Sequence, residues 1–71
     1  MAKYYYRDSD GNKVYIKTID TKNTKLTFTT DSHEAYKGRD GYYARPLKDS
    51  LVFGFSEAYP QVKNLQIENY D

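Results

Sequence analysis

The chain lacks cysteine and tryptophan, and it has a single histidine, His33, among its 71 residues. Without cysteine, disulfides and thiolate metal sites are excluded, so the fold must rest on packing alone. Structural and catalytic zinc sites usually take several His or Cys ligands, which this chain cannot supply. We therefore predict no metal site and no cofactor, and we expect His33 to be an ordinary surface side chain.

The chain also lacks a dominant charge and a long apolar run. Eleven Lys and Arg residues oppose ten Asp and Glu residues, which leaves a net charge of +1. No global field therefore draws the protein onto nucleic acid or an anionic membrane, and any such contact would have to be local. The N-terminus, MAKYYYRD, has no apolar secretion segment, and no run is long enough to cross a bilayer. We expect a cytoplasmic protein without membrane contact.

Tyrosine is the residue that the chain has in abundance. Nine tyrosines and three phenylalanines raise the aromatic fraction to 17%, although the hydrophobic fraction is only 38%. This aromatic content indicates a folded chain, because disordered segments contain few aromatic residues. A chain of this length forms one domain, residues 1–71, and folding buries only about 60% of its unfolded surface. Because tyrosine can bury its ring while its hydroxyl stays wet, it suits both thin cores and protein interfaces.

Residues 3–18, KYYYRDSDGNKVYIKT, predict a β-hairpin, because tyrosines and β-branched residues flank a turn cluster. A two-residue loop would pair Tyr5 with Ile16. A three-residue loop, with Gly11 in the left-handed conformation, would instead pair Tyr6 with Val14. We favour the second register, because it gathers four large apolar side chains on one face of the hairpin. Its core face then consists of Tyr4, Tyr6, Val14 and Ile16, and its exposed face of Lys3, Tyr5, Arg7, Lys13, Tyr15 and Lys17.

The turn sequence DSDGN has oxygen-bearing side chains at alternating positions, as calcium loops do. However, its glycine comes two positions early, and Ile19 stands where such a loop needs a glutamate. We therefore predict an ordinary hairpin turn, in which the aspartates and the asparagine serve the turn geometry.

Strict alternation of polar and apolar residues predicts two further strands, over residues 25–30 and 62–70. Between them, Asp31 and Glu34 form a capping-box pattern, which predicts a helical turn over residues 32–37 that ends at Gly38. Residues 38–45 predict either a surface loop or a tight turn that leads into a short extended piece, and Arg45 stands before a proline, which disfavours a helix there.

Residues 46–59 contain the densest apolar run and predict an amphipathic helix, with Pro46 at its first position and Pro60 beyond its end. The residues that share one arc of this helix are Leu47, Leu51, Phe55, Ala58 and Tyr59. Phe53 lies off that face. Residues 51–55 could instead form a buried strand, since periodicity alone does not separate short apolar runs, but the helix is favoured because the sheet needs a cover.

These elements predict an α+β fold. Its sheet has about four mainly antiparallel strands, a β-meander plus a C-terminal strand, and one amphipathic helix packs on one face. The position of the last strand in the sheet stays open. If it lies parallel to its neighbour, the connection through the helix should be right-handed.

The chain combines a YYY hairpin, a strand running into FTTDSHEAYKG, an apolar helix ending in SEAYP and an alternating C-terminal strand. In this layout it resembles small uncharacterised proteins of phages and prophages of Gram-positive bacteria. The resemblance implies a bacterial cytoplasmic setting and an accessory binding role. It carries over no functional residue.

We expect a non-enzymatic interaction protein that binds a protein partner or a second copy of itself through tyrosine-rich sheet surface, since one helix cannot cover so many aromatic residues. The alternative is a nucleic-acid-binding module, because interleaved tyrosines and cations can stack bases and contact phosphates. We expect no enzymatic activity and no small-molecule substrate, because the chain has few candidate nucleophiles and bases and little room for a pocket. The candidate binding surface is formed by Tyr5, Arg7, Tyr15, Lys17, Tyr36, Arg39, Tyr42, Tyr43, Arg45 and Phe53.

Overall fold

A computed structural model describes residues 1–69, which form one antiparallel sheet and one α-helix and confirm the predicted α+β class. The strands are β1 (Ala2–Arg7), β2 (Lys13–Asp20), β3 (Lys25–Thr29) and β4 (Gln66–Asn69). They lie in the order β3-β2-β1-β4, so the last strand joins the free edge of β1. Because β4 runs antiparallel to β1, no parallel crossover arises.

The first hairpin adopts the three-residue loop. Tyr6 stands opposite Val14, and Gly11 has a φ of 83°, in the left-handed region that the tight loop requires. The side-chain oxygen Oδ1 of Asp8 accepts hydrogen bonds from the backbone N–H groups of Asp10 and Asn12, each at 2.9 Å. The acidic turn residues therefore organise the turn, as predicted.

A short segment after β3 fills a gap between the two central strands. A single 3-10 turn (Ser32–Glu34) is capped by Asp31, and the chain then runs extended. The Tyr36 N–H donates to the Ile16 carbonyl of β2 at 2.8 Å, and Gly38 exchanges two backbone hydrogen bonds with Ala2 of β1. The sequence indicated that Gly38 ends a helical turn. In the structure it is instead part of this extended bridge.

The helix α1 (Ala44–Phe55) follows directly on a 3-10 turn (Gly41–Tyr43). The prediction of a helix rather than a strand is confirmed, but its bounds were wrong. It begins two residues before Pro46, which is accommodated because an N–H in the first turn has no intrahelical partner. It ends at Phe55 instead of continuing to residue 59, and the Tyr59 N–H closes one further turn on the Phe55 carbonyl at 2.8 Å.

The predicted C-terminal strand also begins later than expected. A 3-10 turn (Pro60–Asn64) takes the first part of the predicted range and buries Val62 completely. The register of β4 then sets Ile67 opposite Tyr4 of β1. The last residue of the predicted strand, Tyr70, lies outside the residues that the structure describes.

One core lies between the sheet and α1. The helix contributes Leu51 and Phe55 to it, and the Tyr4 hydroxyl donates a buried hydrogen bond to the Ala44 carbonyl at 2.9 Å. The buried members of this core are Ala2, Tyr4, Ile16, Leu26, Ala44, Leu51, Phe55, Val62 and Leu65. Of the side chains predicted to face the core, Tyr6, Val14, Leu47 and Tyr59 are half-buried. Ala58 is exposed because the helix ends before it.

Candidate binding surface

Part of the second face of the sheet is covered, so two of the predicted binding residues are buried. Tyr5 and Tyr15 are 8% and 5% exposed and pack against Ala35, with their ring centroids 5.8 Å apart. The expectation that both rings are exposed was therefore wrong, although the predicted register is right. Lys3, which was also predicted to be exposed, is only 7% exposed. The physical reason is that the segment after β3 brings Ala35 onto this face.

The buried pair is held by polar contacts from the last strand. The Tyr5 hydroxyl donates to Oε1 of Gln66 at 2.8 Å, and the Tyr15 hydroxyl donates to Oε1 of Glu68 at 3.1 Å. The Lys13 ammonium bonds the same Glu68 oxygen at 2.5 Å and lies 4.7 Å from the Tyr5 ring centroid. These contacts make the face a small polar-aromatic core rather than a free surface.

The titratable groups of this cluster, Lys13, Tyr15 and Glu68, shift one another's pKa values. The hydrogen bond from Lys13 lowers the pKa of Glu68, and the hydrogen bond from Tyr15 lowers it further against the opposing effect of partial burial. In return, the hydrogen bond to Glu68 raises the pKa of Lys13. Burial, followed by the hydrogen bond to Glu68, raises the pKa of Tyr15. Each shift favours the protonation state that the contact uses, which is ionised for Glu68 and protonated for Lys13 and Tyr15.

Three other predicted residues are engaged in separate local contacts. Arg7 donates to the Gly11 carbonyl at 2.8 Å, and its guanidinium lies 5.7 Å from the Tyr5 ring centroid. Lys17 forms an exposed ion pair with Glu34 at 3.4 Å. Tyr36 is half-buried and packs against the main core. The structure therefore does not bring these side chains together into one binding face.

The exposed part of the predicted surface lies where the helical segment begins. Tyr42 and Tyr43 are 85% and 55% exposed, and their rings pack edge to face with centroids 5.6 Å apart. The Arg39 guanidinium lies 5.2 Å from the Tyr43 ring centroid, as in a cation–π contact. We call Arg39, Tyr42 and Tyr43 the aromatic cluster.

An open cleft of about 430 Å³ adjoins this cluster. Its lining is formed by Met1, Lys37, Gly38, Arg39, Asp40 and Tyr43. The Met1 ammonium pairs with Asp40 at 2.5 Å, and this hydrogen-bonded ion pair lowers the pKa of the Asp40 carboxyl. The one acidic side chain of the lining is therefore neutralised locally.

The remaining two predicted residues, Arg45 and Phe53, lie on the side of α1 that faces away from the sheet. Phe53 is 93% exposed, whereas the neighbouring Leu51 and Phe55 are buried in the core. At three-to-four-residue spacing, Tyr42, Arg45, Asp49 and Phe53 recur on one side of the helical segment, and all four are exposed. We call these four residues the outer helix face. Asp49 was not among the predicted residues. Its position four residues after Arg45, which is the spacing of neighbours on one helix face, could have indicated it.

Residues 1–69 contain neither a cluster of metal-ligating side chains nor a membrane-spanning helix. No three His, Cys, Asp or Glu side chains in this range come together as a set of metal ligands. No helix in it is long and apolar enough to cross a bilayer. A second open cleft of about 530 Å³ lies at the end of the first hairpin, and its lining is polar: Asp8, Asn12, Lys13, Tyr15, Thr30 and Ser32.

No protein-family model matches this chain, and comparisons with curated proteins and with solved structures find no match either. The surface must therefore be interpreted from its own geometry.

Proposed function

We propose that this chain is a small, non-enzymatic interaction protein that binds protein surfaces through the aromatic side chains of its helical segment. The observation that carries the proposal is the position of its most exposed aromatic residues. Tyr42, Tyr43 and Phe53 all lie on the continuous helical stretch formed by Gly41–Tyr43 and Ala44–Phe55. Aromatic side chains that remain exposed on a small folded domain favour protein contact, because tyrosine and phenylalanine are enriched at the cores of interfaces.

The burial of Tyr5 and Tyr15 in the hairpin restricts this proposal to the helical segment. Because Tyr5 and Tyr15 form a buried cluster with Ala35, we move the proposed binding element from the tyrosine-rich sheet surface to the helical segment. The helix contributes one side to the core and leaves Phe53 and Tyr42 on the other. On the basis of the sequence layout, we propose that the chain is an accessory protein of a phage or prophage that works in the bacterial cytoplasm.

Binding of single-stranded nucleic acid is the second candidate function, and it is favoured by the charge around the aromatic cluster. Residues 36–48 contain Lys37, Arg39, Arg45 and Lys48, while their acidic residue Asp40 is paired with the N-terminal ammonium. Cations beside an exposed ring could contact phosphates while a base stacks on Tyr42. Fluorescence polarisation with labelled single-stranded DNA and RNA at low salt tests this function, and an unchanged polarisation would exclude it.

Site-specific photo-crosslinking tests the leading proposal. A benzoylphenylalanine probe would replace Tyr42 in one variant and Phe53 in another, since both positions already hold exposed aromatic rings. Each variant is irradiated as purified protein and in a bacterial cytoplasmic extract. We expect covalent adducts with protein, resolved by gel mobility and identified by mass spectrometry.

The matched control carries the same probe at Lys22, an exposed residue of the β2–β3 turn that lies far along the chain from the helical segment. Non-specific capture depends only on exposure of the probe and would give similar adduct yields at all three positions. That result would refute the proposal. Adducts that form at positions 42 and 53 and not at position 22 would support it.

A further inference from the structure

The outer helix face is complementary to the same face of a second copy that runs in the opposite direction. Tyr42 and Phe53 are aromatic residues at its two ends, and the midpoint between them lies between residues 47 and 48. Arg45 and Asp49 are opposite charges between those ends, with their midpoint at residue 47. The two midpoints differ by half a residue, which is less than about 1 Å along a helix axis. A single two-fold axis can therefore serve both pairs.

An antiparallel second copy makes favourable contacts at each position of this face. A two-fold axis between the helices brings Phe53 of each copy against Tyr42 of the other and Arg45 against Asp49. Such an arrangement is isologous, because the same surface patch is used by both copies. The helices then pack back to back, and each sheet stays on the outside with its own core intact.

The two charges of the outer helix face are available for this contact. Neither Arg45 nor Asp49 has an ion pair with another side chain in the part of the chain that the structure describes. Within one helix the two stand four residues apart with the cation first, the less favourable order for an intrahelical pair. A second copy would supply each with an opposite charge.

The geometry points to a homodimer that forms through antiparallel contact of two outer helix faces. This inference rests on the proposed function and names its partner as a second copy of this chain. Because each copy contributes one short helix, the interface belongs to the small class that buries less than about 1,200 Å² in total. The dimer is therefore weak and depends on protein concentration.

Sedimentation velocity over a concentration series, from low micromolar to millimolar, measures this equilibrium. The wild type should shift from the 8.3 kDa monomer towards twice that mass. Phe53→Ser should raise Kd by roughly a hundredfold, because each dimer loses two buried rings. The control Lys22→Asp, which changes an exposed turn residue, should leave Kd unchanged.

A charge exchange tests the register of the two helices. Arg45→Asp and Asp49→Arg should each raise Kd roughly tenfold, because each places like charges opposite one another. The double variant recreates both attractive pairs and should return Kd to within about threefold of the wild type. Far-UV circular dichroism of every variant checks that the fold is retained. Failure of the double variant to restore association would overturn this register.

The outcomes separate the dimer from the proposed function. A wild type that stays monomeric at all concentrations overturns the dimer, as does a dimer that Phe53→Ser does not weaken. If such a monomer still gives photo-adducts with another protein at positions 42 and 53, the proposed function stands without self-association. A monomer that gives no adducts removes both proposals.

Discussion

Truncation of Tyr5 tests whether the second face of the sheet is a true core. Tyr5 is 8% exposed, packs on the Tyr15 ring, and donates its hydroxyl to Gln66 at 2.8 Å. Replacing a buried aromatic residue by alanine costs about 3–5 kcal/mol in protein cores. We expect about 3 kcal/mol for Tyr5→Ala, the lower end of that range, because this cluster is small and can partly collapse.

The loss is large compared with the stability of a domain of this size. At about 0.1 kcal/mol per residue the whole chain has roughly 7 kcal/mol of unfolding free energy. Tyr5→Phe separates the hydroxyl from the ring. It removes one hydrogen bond and should cost about 1 kcal/mol, so the remainder of the Tyr5→Ala loss reports ring packing.

Urea unfolding followed by far-UV circular dichroism gives these free energies, with the slope m expected to stay constant. The matched control is Tyr42→Ala, which removes an equally large ring that is 85% exposed and should change stability by less than about 0.5 kcal/mol. Low protein concentration keeps self-association out of the measurement. If Tyr5→Ala loses no more stability than Tyr42→Ala, the second core does not exist and the reasoning is refuted.

Three further predictions concern the last strand and two glycines. The folded pKa of Glu68 lies below its unfolded value, so its contribution is present above the unfolded pKa and is lost as the pH falls through the folded one. Glu68→Gln should therefore destabilise the protein at neutral pH and flatten its acid dependence, measured as urea midpoints across the acidic range. Gly38→Ala should cost about 1–3 kcal/mol in urea unfolding, because the added Cβ meets the Tyr4 ring at 3.2 Å; an unchanged midpoint would contradict the close approach. Gly54→Ala should raise the unfolding free energy by about 0.5–1 kcal/mol, because alanine is the better helix former and an added Cβ has open space there; a lower unfolding free energy would contradict this reasoning.

The local features of the fold could be predicted from the sequence. Gly11 in the turn sequence and the pattern of the flanking residues give the correct hairpin register, because a tight three-residue loop needs one left-handed residue. The helical spacing of Leu51 and Phe55 gives the covering helix and sets Phe53 on its outer side. Each of these conclusions depends on residues that are close together in the chain.

The burial of Tyr5 and Tyr15 could not be predicted, because it depends on contacts between distant parts of the chain. Ala35 reaches the sheet through backbone bonding of its neighbour Tyr36 to β2, and Glu68 arrives with the last strand. Alternation within a strand shows which residues share a face. It does not show whether another segment covers that face.

The bounds of α1 were missed for a related reason. The rule that a residue before proline avoids helical geometry suggested a loop at Arg45. In the structure the preceding 3-10 turn already sets the helical direction, and the Tyr4 hydroxyl holds the Ala44 carbonyl. The exposure of Tyr42, Tyr43 and Phe53 agrees with their place in the candidate surface. Asp49 was not included, because it shares a helix face with Arg45 only once Arg45 is part of the helix.

The central claim is that the outer helix face binds protein while the sheet tyrosines stabilise the fold. Proton–nitrogen correlation NMR spectra of the labelled protein over a concentration series test it most directly, because each backbone amide reports its own surroundings. We expect concentration-dependent shifts to concentrate at Tyr42, Arg45, Asp49 and Phe53, and the hairpin amides of Tyr5 and Tyr15 to stay unchanged. Shifts centred on the hairpin, or spectra that do not change with concentration, would contradict self-association through this face.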